Sequence, residues 1–492
     1  MQIKDNLIII SMNIAVFIQQ WLQEKSGFEC RSFYGETYTL ALMQLLGILE
    51  PGVKHKILNA YNKIDKTDSQ FHWEFNNYAL LQYYRLSHDQ EVLPLIYPLQ
   101  FKNTPCTNWT LLRSAARLCG GENKELAAKE AREKIAKFQL GSGQILDEKK
   151  VKSFQYHCFS TAMIAEIYEQ TGEKDFYDSF MLGVKFIRVF ILSNGEANYI
   201  GRGQKQSFGY GALVYILALA YKYTNDHAIL GDLHKVVGYL KKHQDSNGSF
   251  PLVLNGIKQQ IPPVVDMTDP SYCGWYPYNN YFDYLPFMGF FIAKASTVLD
   301  ELDTTIPVYK AQEDYSDSNY IKQVTKNYEA VVSTVGGYWT NDMPIPYIVS
   351  KGKSITPCYG GEQFQKSIYS SMGIPLPFSK WLNKSVRWMA VSFFKDKTLW
   401  VVSPIGIVKR DFRFYEDLIK IETKVFSWLK LTHLYLFKFD TLQKRENMLV
   451  INEVEIVGSQ LTETDIDEFS SDGKLWVFKD NNRCSILEFK FR

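Results

Sequence analysis

Four residues of unlike chemistry stand close to the starts of separate helical patterns: Asn108, His157, Tyr199 and Arg202. An amide, an imidazole, a phenol and a guanidinium together suit one reaction, β-elimination of a uronic-acid glycan. The proton on the sugar carbon beside the carboxylate is weakly acidic, and hydrogen bonds from Asn, His or Arg that neutralise the carboxylate make it removable. A tyrosinate or a neutral imidazole can take that proton when its pKa is tuned. Arg202 near Tyr199 favours the phenolate, because a nearby positive charge favours the ionised form. A helix N-terminus biases His157 toward neutral imidazole. A Tyr hydroxyl also suits protonation of the leaving glycosidic oxygen. The reaction requires no metal or other cofactor, and the sequence suggests none. The seven cysteines (Cys30, Cys106, Cys119, Cys158, Cys273, Cys358 and Cys484) are scattered without a CxxC pair.

These residues need elements that bring them together. From about residue 6 to 300, apolar residues recur at helical spacing, as in ELAAKEAREKIAKFQL and GALVYILALAYKY. Three of the helices end in similar glycine turns, KFQLGSGQI, ILSNGEANYIG and KKHQDSNGSFPLV. Gly143, Gly195 and Gly248 lie 52 and 53 residues apart (195−143 and 248−195). Two helices per period of that size indicate stacked helical hairpins, open as a solenoid or closed as an (α/α) toroid. In a closed ring the starts of the following helices share one mouth.

The unusual polar and aromatic residues fall at those starts. His72, Trp73, Glu74, Asn76 and Asn77 open one helix, and Asn108 and Trp109 the next. Gln155, Tyr156 and His157 open a third; Tyr199, Arg202, Gln204 and Gln206 a fourth; Tyr272, Trp275, Tyr276, Tyr278, Asn279 and Asn280 a fifth. All five are expected to line one cleft. Trp73, Glu74, Asn76, Trp109, Gln155, Gln204, Trp275, Tyr276, Tyr278 and Asn279 are the expected substrate-binding side chains. Plainer roles exist for each: Asn108 suits a helix cap, His157 a structural histidine, Tyr199 a packed turn aromatic and Arg202 a partner for a helix carboxylate. The stretch ANYIGRGQKQSFGYG (197–211) is not a dinucleotide-binding turn. Gln206 stands where the third glycine belongs, and no strand pattern precedes it.

From about 330 the pattern changes to alternating β-branched and aromatic runs such as TLWVVSPIGIVKR and SILEFKFR, which read as antiparallel strands. The expected organisation is an α/α-toroid catalytic domain over 1–305, a linker over 306–329 and an antiparallel β-sandwich domain over 330–492. Tyr359, Glu362 and Gln363, near the start of the β part, could reach a substrate in the cleft. With 31 Tyr and 10 Trp the chain can stack on sugar faces. A net charge of +2 without basic runs argues against a nucleic-acid partner. The apolar run from Leu7 to Ile18 is too short to span a bilayer and reads as the first helix of the fold. A cytoplasmic location is expected, with an extracellular or surface-associated one as the alternative.

With this architecture and these residues the chain resembles the α/α-toroid polysaccharide lyases, the group that includes hyaluronate/chondroitin lyases and heparinase II/III-like enzymes. The resemblance implies a cleft carrying an Asn/His/Tyr/Arg site. Asn108 would neutralise the carboxylate and His157 would neutralise or act as base. Tyr199 would be base and acid, supported by Arg202, with Tyr278 or Tyr210 as the alternative tyrosine. The substrate would be an acidic polysaccharide or oligosaccharide. Two other readings stand beside it. A glycoside hydrolase on the same barrel, including an unsaturated uronyl hydrolase, would need two facing carboxylates, from Glu74, Asp266, Asp269 and Asp283. A non-catalytic glycan-binding protein would use the same aromatics and amides.

Overall fold

The computed structural model describes residues 2–492 except 26, 69–70, 98–105, 255–260, 267–268, 270–271, 273, 336–344, 358–388, 428–432, 447 and 466–467. Tyr359, Glu362 and Gln363 lie outside the described residues. The helical part contains α1 (Ile3–Glu24), α2 (Gly35–Leu45), α3 (Pro51–Lys63), α4 (Trp73–Ser87), α5 (Thr107–Gly120) and α6 (Lys124–Phe138). It continues with α7 (Phe154–Thr171), α8 (Lys174–Phe190), α9 (Ser207–Thr224), α10 (His227–Lys241) and α11 (Tyr281–Val298).

Six of these form a closed inner ring. Helix α2 packs on α4, α4 on α5, α5 on α7, α7 on α9, α9 on α11, and α11 back on α2. The outer layer is α3, α6, α8 and α10, each against its inner neighbour, with α1 covering α11. A short 3-10 helix, Gln90–Leu95, packs on α4 in place of a full outer helix. The sequences explain the layering. Helix α9 (SFGYGALVYILALAYKYT) is apolar on all sides and buried through Tyr221, whereas α6 buries only Ala127, Ala128, Ala131 and Phe138 along one stripe. Helix α1 is long and apolar enough to cross a membrane. Here it buries one face, Ile3, Leu7, Ile10, Ile14 and Ile18 among others, on the ring.

The three glycine turns have one geometry. The amides of Gly143, Gly195 and Gly248 donate to Leu140, Leu192 and Asp245 at 2.8–2.9 Å. Their φ values are +98°, +88° and +90°. Each presses against a carbonyl of the next outer helix: Leu182 in α8, Lys235 in α10 and Asn13 in α1. A Cβ would sit 2.1, 2.1 and 2.5 Å from those oxygens, so only glycine fits. The third contact shows that the outer layer closes too, the last turn meeting the first helix.

The β part is antiparallel throughout its described strand pairs. A five-stranded meander runs from Tyr315–Ser316 to Lys353–Ser354. An eight-stranded sheet spans Val391–Lys395 at one edge to Leu442–Arg445 at the other, and His433–Lys438 pairs with Gly473–Asp480 in a third sheet. The strands Tyr315–Ser316 and Tyr320–Val324 lie inside the stretch 306–329 that reads as linker, so β structure begins earlier than expected. The charged surroundings hide them. Lys322, formally a linker charge, is buried and donates to the Val189 carbonyl at 2.7 Å, with Glu329 at 3.5 Å.

The β part sits on the segments that join outer to inner helices. Lys152 donates to the Thr334 carbonyl at 2.5 Å, Ser193 N–H to Glu329 at 2.8 Å, and Tyr347 to Glu196 at 2.9 Å. Lys205 is fully buried between Glu196 at 3.1 Å and Asp472 at 2.8 Å.

Candidate active site

A cavity of ≈ 140 Å³ opens at the rim formed by the inner-helix starts. It is lined by Tyr34, His72, Phe75, Cys106, Asn108, Trp109, Asp147, Tyr156, Arg202, Phe208, Tyr278 and Tyr284. These come from the starts of all six inner helices or the residues just before them. The ring explains the convergence: parallel inner helices place their first turns at one mouth.

Arg202 organises the pocket. Its Nη1 donates to Asp147 at 3.1 Å, and its Nε and Nη2 donate to the Tyr278 hydroxyl at 3.1 and 2.7 Å. The guanidinium also lies 5.1 Å from the Tyr156 ring centre and 5.2 Å from that of Tyr278, within cation–π range. The Tyr156 and Tyr278 hydroxyls are 3.2 Å apart. Tyr276 stacks parallel to Tyr278 at 5.3 Å and accepts from the Gly203 amide at 2.8 Å, so the ring pair is held from behind. Asn108 sits in the first turn of α5 and donates its amide to Asp147 rather than capping the helix. Across the pocket His72 packs edge-on against Trp109, ring centres 4.4 Å apart.

Burial shapes the ionisation here. It pushes the Asp147 carboxyl up to about 6, against the pull of Arg202. It pushes the Tyr278 phenol well above the ordinary tyrosine value, again opposed by Arg202. Tyr156 and Tyr284 are raised in the same way. The resting pocket therefore holds neutral phenols around one cation. Cys106, Asp147 and Glu148 bring ligand atoms within 4.8 Å of one another. Arg202 is a positive neighbour, 3.1 Å from Asp147 and 3.9 Å from Glu148, and the Lys134 charge also acts on Asp147.

Six of the residues expected at the rim line this cavity: His72, Asn108, Trp109, Tyr156, Arg202 and Tyr278. The others lie elsewhere. Tyr199 is fully buried, its hydroxyl donating to the Phe190 carbonyl at 2.9 Å and its ring stacked on Tyr347 at 4.8 Å. The expectation that it projects into the cleft is corrected: it joins helices to sheet. His157 is also buried, its Nδ1 accepting from the Ile145 amide at 3.0 Å and its Nε2 3.3 Å from the Gly183 carbonyl. Burial drives its pKa down to about 3, so it is a structural imidazole of the turn. Tyr210 holds the turn backbone, its hydroxyl 3.4 Å from the amides of Ala197 and Asn198.

Several expected sugar contacts are internal supports. Asn76 donates to the carbonyls of Phe33 and His72 at 2.7 and 2.9 Å. Gln155 donates to Gln206 at 2.9 Å, and Gln206 in turn to Asn279 at 2.8 Å. Trp275 is core, Gln204 is buried, and Trp73 packs against Phe71 and Tyr97. Glu74 is buried at the start of α4, where its charge acts on Arg117. Of the other carboxylates considered for hydrolysis, Asp283 accepts from the amides of Phe33, Tyr34 and Gly35 at 2.8–2.9 Å, holding the start of α2. Asp266 and Asp269 are exposed. The carboxylate that does line the pocket, Asp147, was not singled out from sequence. Neither were Tyr34, Phe75, Cys106, Phe208 and Tyr284. Their shared signal is position: each stands at or just before an inner-helix start.

No family model and no curated protein matches the sequence. Solved structures do match. The Streptomyces coelicolor A3 chondroitin AC lyase, in complex with chondroitin sulphate, aligns over 99% of this chain and 79% of its own. The TM-score is 0.53 at 7% identity. The fold, an α/α toroid followed by antiparallel β-sheets, is similar to that of this lyase. A mutant of the same lyase aligns over 93% of this chain and 74% of its own, with a TM-score of 0.50 at 8% identity. A glycosyl hydrolase family 88 protein from Bacteroides vulgatus covers 60% of this chain and 99% of its own, with a TM-score of 0.42 at 12% identity. The lyase likeness therefore extends through both the toroid and the β part.

Proposed function

We propose that the protein is a carbohydrate-active enzyme, a metal-independent lyase that cleaves a uronic-acid-containing polysaccharide or oligosaccharide by β-elimination. The observation that carries this reading is the Arg202–Tyr278 pair, a phenol held by two guanidinium N–H groups at the open end of the toroid. Tyr278 takes the role expected of Tyr199. Its ionised form, favoured by Arg202, removes the proton beside the sugar carboxylate. As the carbon–hydrogen bond breaks, a carbon–carbon double bond forms and the bond to the glycosidic oxygen breaks. The neutral phenol then returns its proton to the leaving oxygen. Asn108 and His72 would donate to the substrate carboxylate. Asp147 touches both Asn108 and Arg202 and positions them. Trp109 offers a ring face for sugar stacking.

One observation favours a second reading. A carboxyl raised to about 6, as Asp147 is, suits the general acid of a hydrolase. Ultraviolet absorbance and reducing ends, followed together over a panel of uronate glycans, separate the two. Elimination produces both signals, and Tyr278→Phe and Asn108→Ala abolish them. New reducing ends without absorbance would sink the lyase reading and move the chemistry to Asp147. A purely glycan-binding protein gives neither signal while still retaining the glycan.

A further inference from the structure

Among the described residues, side chains from every inner-helix start line the pocket. Tyr34, His72, Trp109, Tyr156, Arg202 and Tyr278 come from the six inner-helix starts in ring order, one from each. Because α11 packs back on α2, the lining formed by the described residues continues from the last helix to the first. Below it the axis is filled: Phe208 stacks on Phe287 at 4.0 Å, Phe75 on Phe159 at 5.4 Å, and Phe287 lies 4.7 Å from Phe291. The space between wall and floor is ≈ 140 Å³. Ligand pockets for drug-sized molecules run from about 300 Å³ upward, so this one has room for a single sugar ring. A groove that is open at both ends lets a polymer lie across it, and any internal linkage can reach the catalytic groups. A blind pit admits only a residue with one neighbour.

We propose that the site recognises the end of a glycan chain, so the enzyme acts in the exo mode, taking one terminal unit into the pit. The inference rests on the proposed function for the chemical class of the chain, a uronate glycan, but the chain-end geometry does not depend on the reaction. Terminal recognition follows from the six-sided wall, and Arg202 and Tyr278 stand in that wall, where the linkage to the second sugar must pass.

Two readouts test it, using the full chain. First, Tyr278→Phe, made to block turnover, is titrated with tetra-, octa- and longer oligosaccharides of a uronate glycan it retains, and the binding stoichiometry is measured. Chain-end recognition gives a fixed number of protein molecules per glycan chain at every length. A stoichiometry that grows in proportion to length means internal binding and overturns the proposal. Second, the wild-type enzyme is incubated with intact polymer while product absorbance and viscosity are followed together. Exo action raises absorbance and releases the smallest products while viscosity stays near its starting value. A viscosity collapse within the first few per cent of product overturns the proposal. Fixed stoichiometry with reducing ends but no absorbance leaves chain-end recognition standing and removes the elimination reading, so the two failures are distinct. Tyr34→Ala and Trp109→Ala lower the wall, and each is expected to let internal cuts appear, read as a fall in viscosity per unit of product.

Discussion

Tyr278 and Tyr199 differ in what their hydroxyls meet. The first faces a guanidinium in an open pocket, the second a backbone carbonyl under a sheet. Tyr278→Phe is therefore expected to lower kcat by roughly 10²–10⁴-fold with little change in KM. Tyr199→Phe should leave kcat/KM intact and cost about 1 kcal/mol of stability, read by urea denaturation. The pH profile separates the possible roles further. If ionised Tyr278 is the base, its pKa above the ordinary tyrosine range makes the ionised fraction rise throughout the neutral and mildly alkaline range, so kcat/KM should climb with pH there. If protonated Asp147 is the acid, its active form is lost as pH rises through about 6 and kcat/KM should fall. Sequence showed Arg202 and Asn108 because they are polar side chains that fall with other polar and aromatic residues at the shared helix starts. It could not show that one face of the 197–206 segment turns to the pocket and the other to the β part. The segment carries one tyrosine, Tyr199, and two cations, Arg202 and Lys205, and which of them meets the pocket depends on the sheet that covers the others.

At the level of elements, the glycine turns set the orientation of the inner helices. Gly195→Ala places a Cβ 2.1 Å from the Lys235 carbonyl at a φ of +88°. We expect a loss of about 2–3 kcal/mol, seen as a lower denaturation midpoint. The same change at Gly238, where a Cβ would meet nothing within 4 Å, should be mild. The turns and helices were legible in the sequence, because helical spacing and a 52–53-residue repeat survive without any knowledge of partners. The repeat alone fits a solenoid as well as the toroid that was expected and that the inner ring forms. Closure depends on α1 and α2 meeting α11, and no local pattern encodes that contact. The early strands were missed for a related reason. Buried charges such as Lys322 read as surface when a partner, here the Val189 carbonyl, is remote in sequence.

At the level of the whole molecule, helices and sheets are joined by charges buried at the joint. Lys205 has no exposed side-chain surface and serves Glu196 from the toroid and Asp472 from the β part. Lys205→Met would leave both carboxylates buried without that cation, at a cost of about 3–5 kcal/mol. The loss should appear in thermal unfolding as a lower midpoint. Unfolding that separates into two steps would mean the joint holds the two parts in one cooperative unit.

Ring closure also bears on how the chain is made. Helix α1 buries its apolar face against α11, whose first residue is 257 positions beyond the last of α1 (281−24). At ribosomal speeds of about 5–20 residues per second, that partner emerges on the order of ten seconds to a minute later. During synthesis a 22-residue helix rich in isoleucine and leucine waits with its binding face exposed. A protein whose first helix is completed by its eleventh must be shielded during translation, and its folding is limited by long-range closure. Its yield in a cell should therefore depend on chaperone capacity more than the stability of the finished ring would suggest.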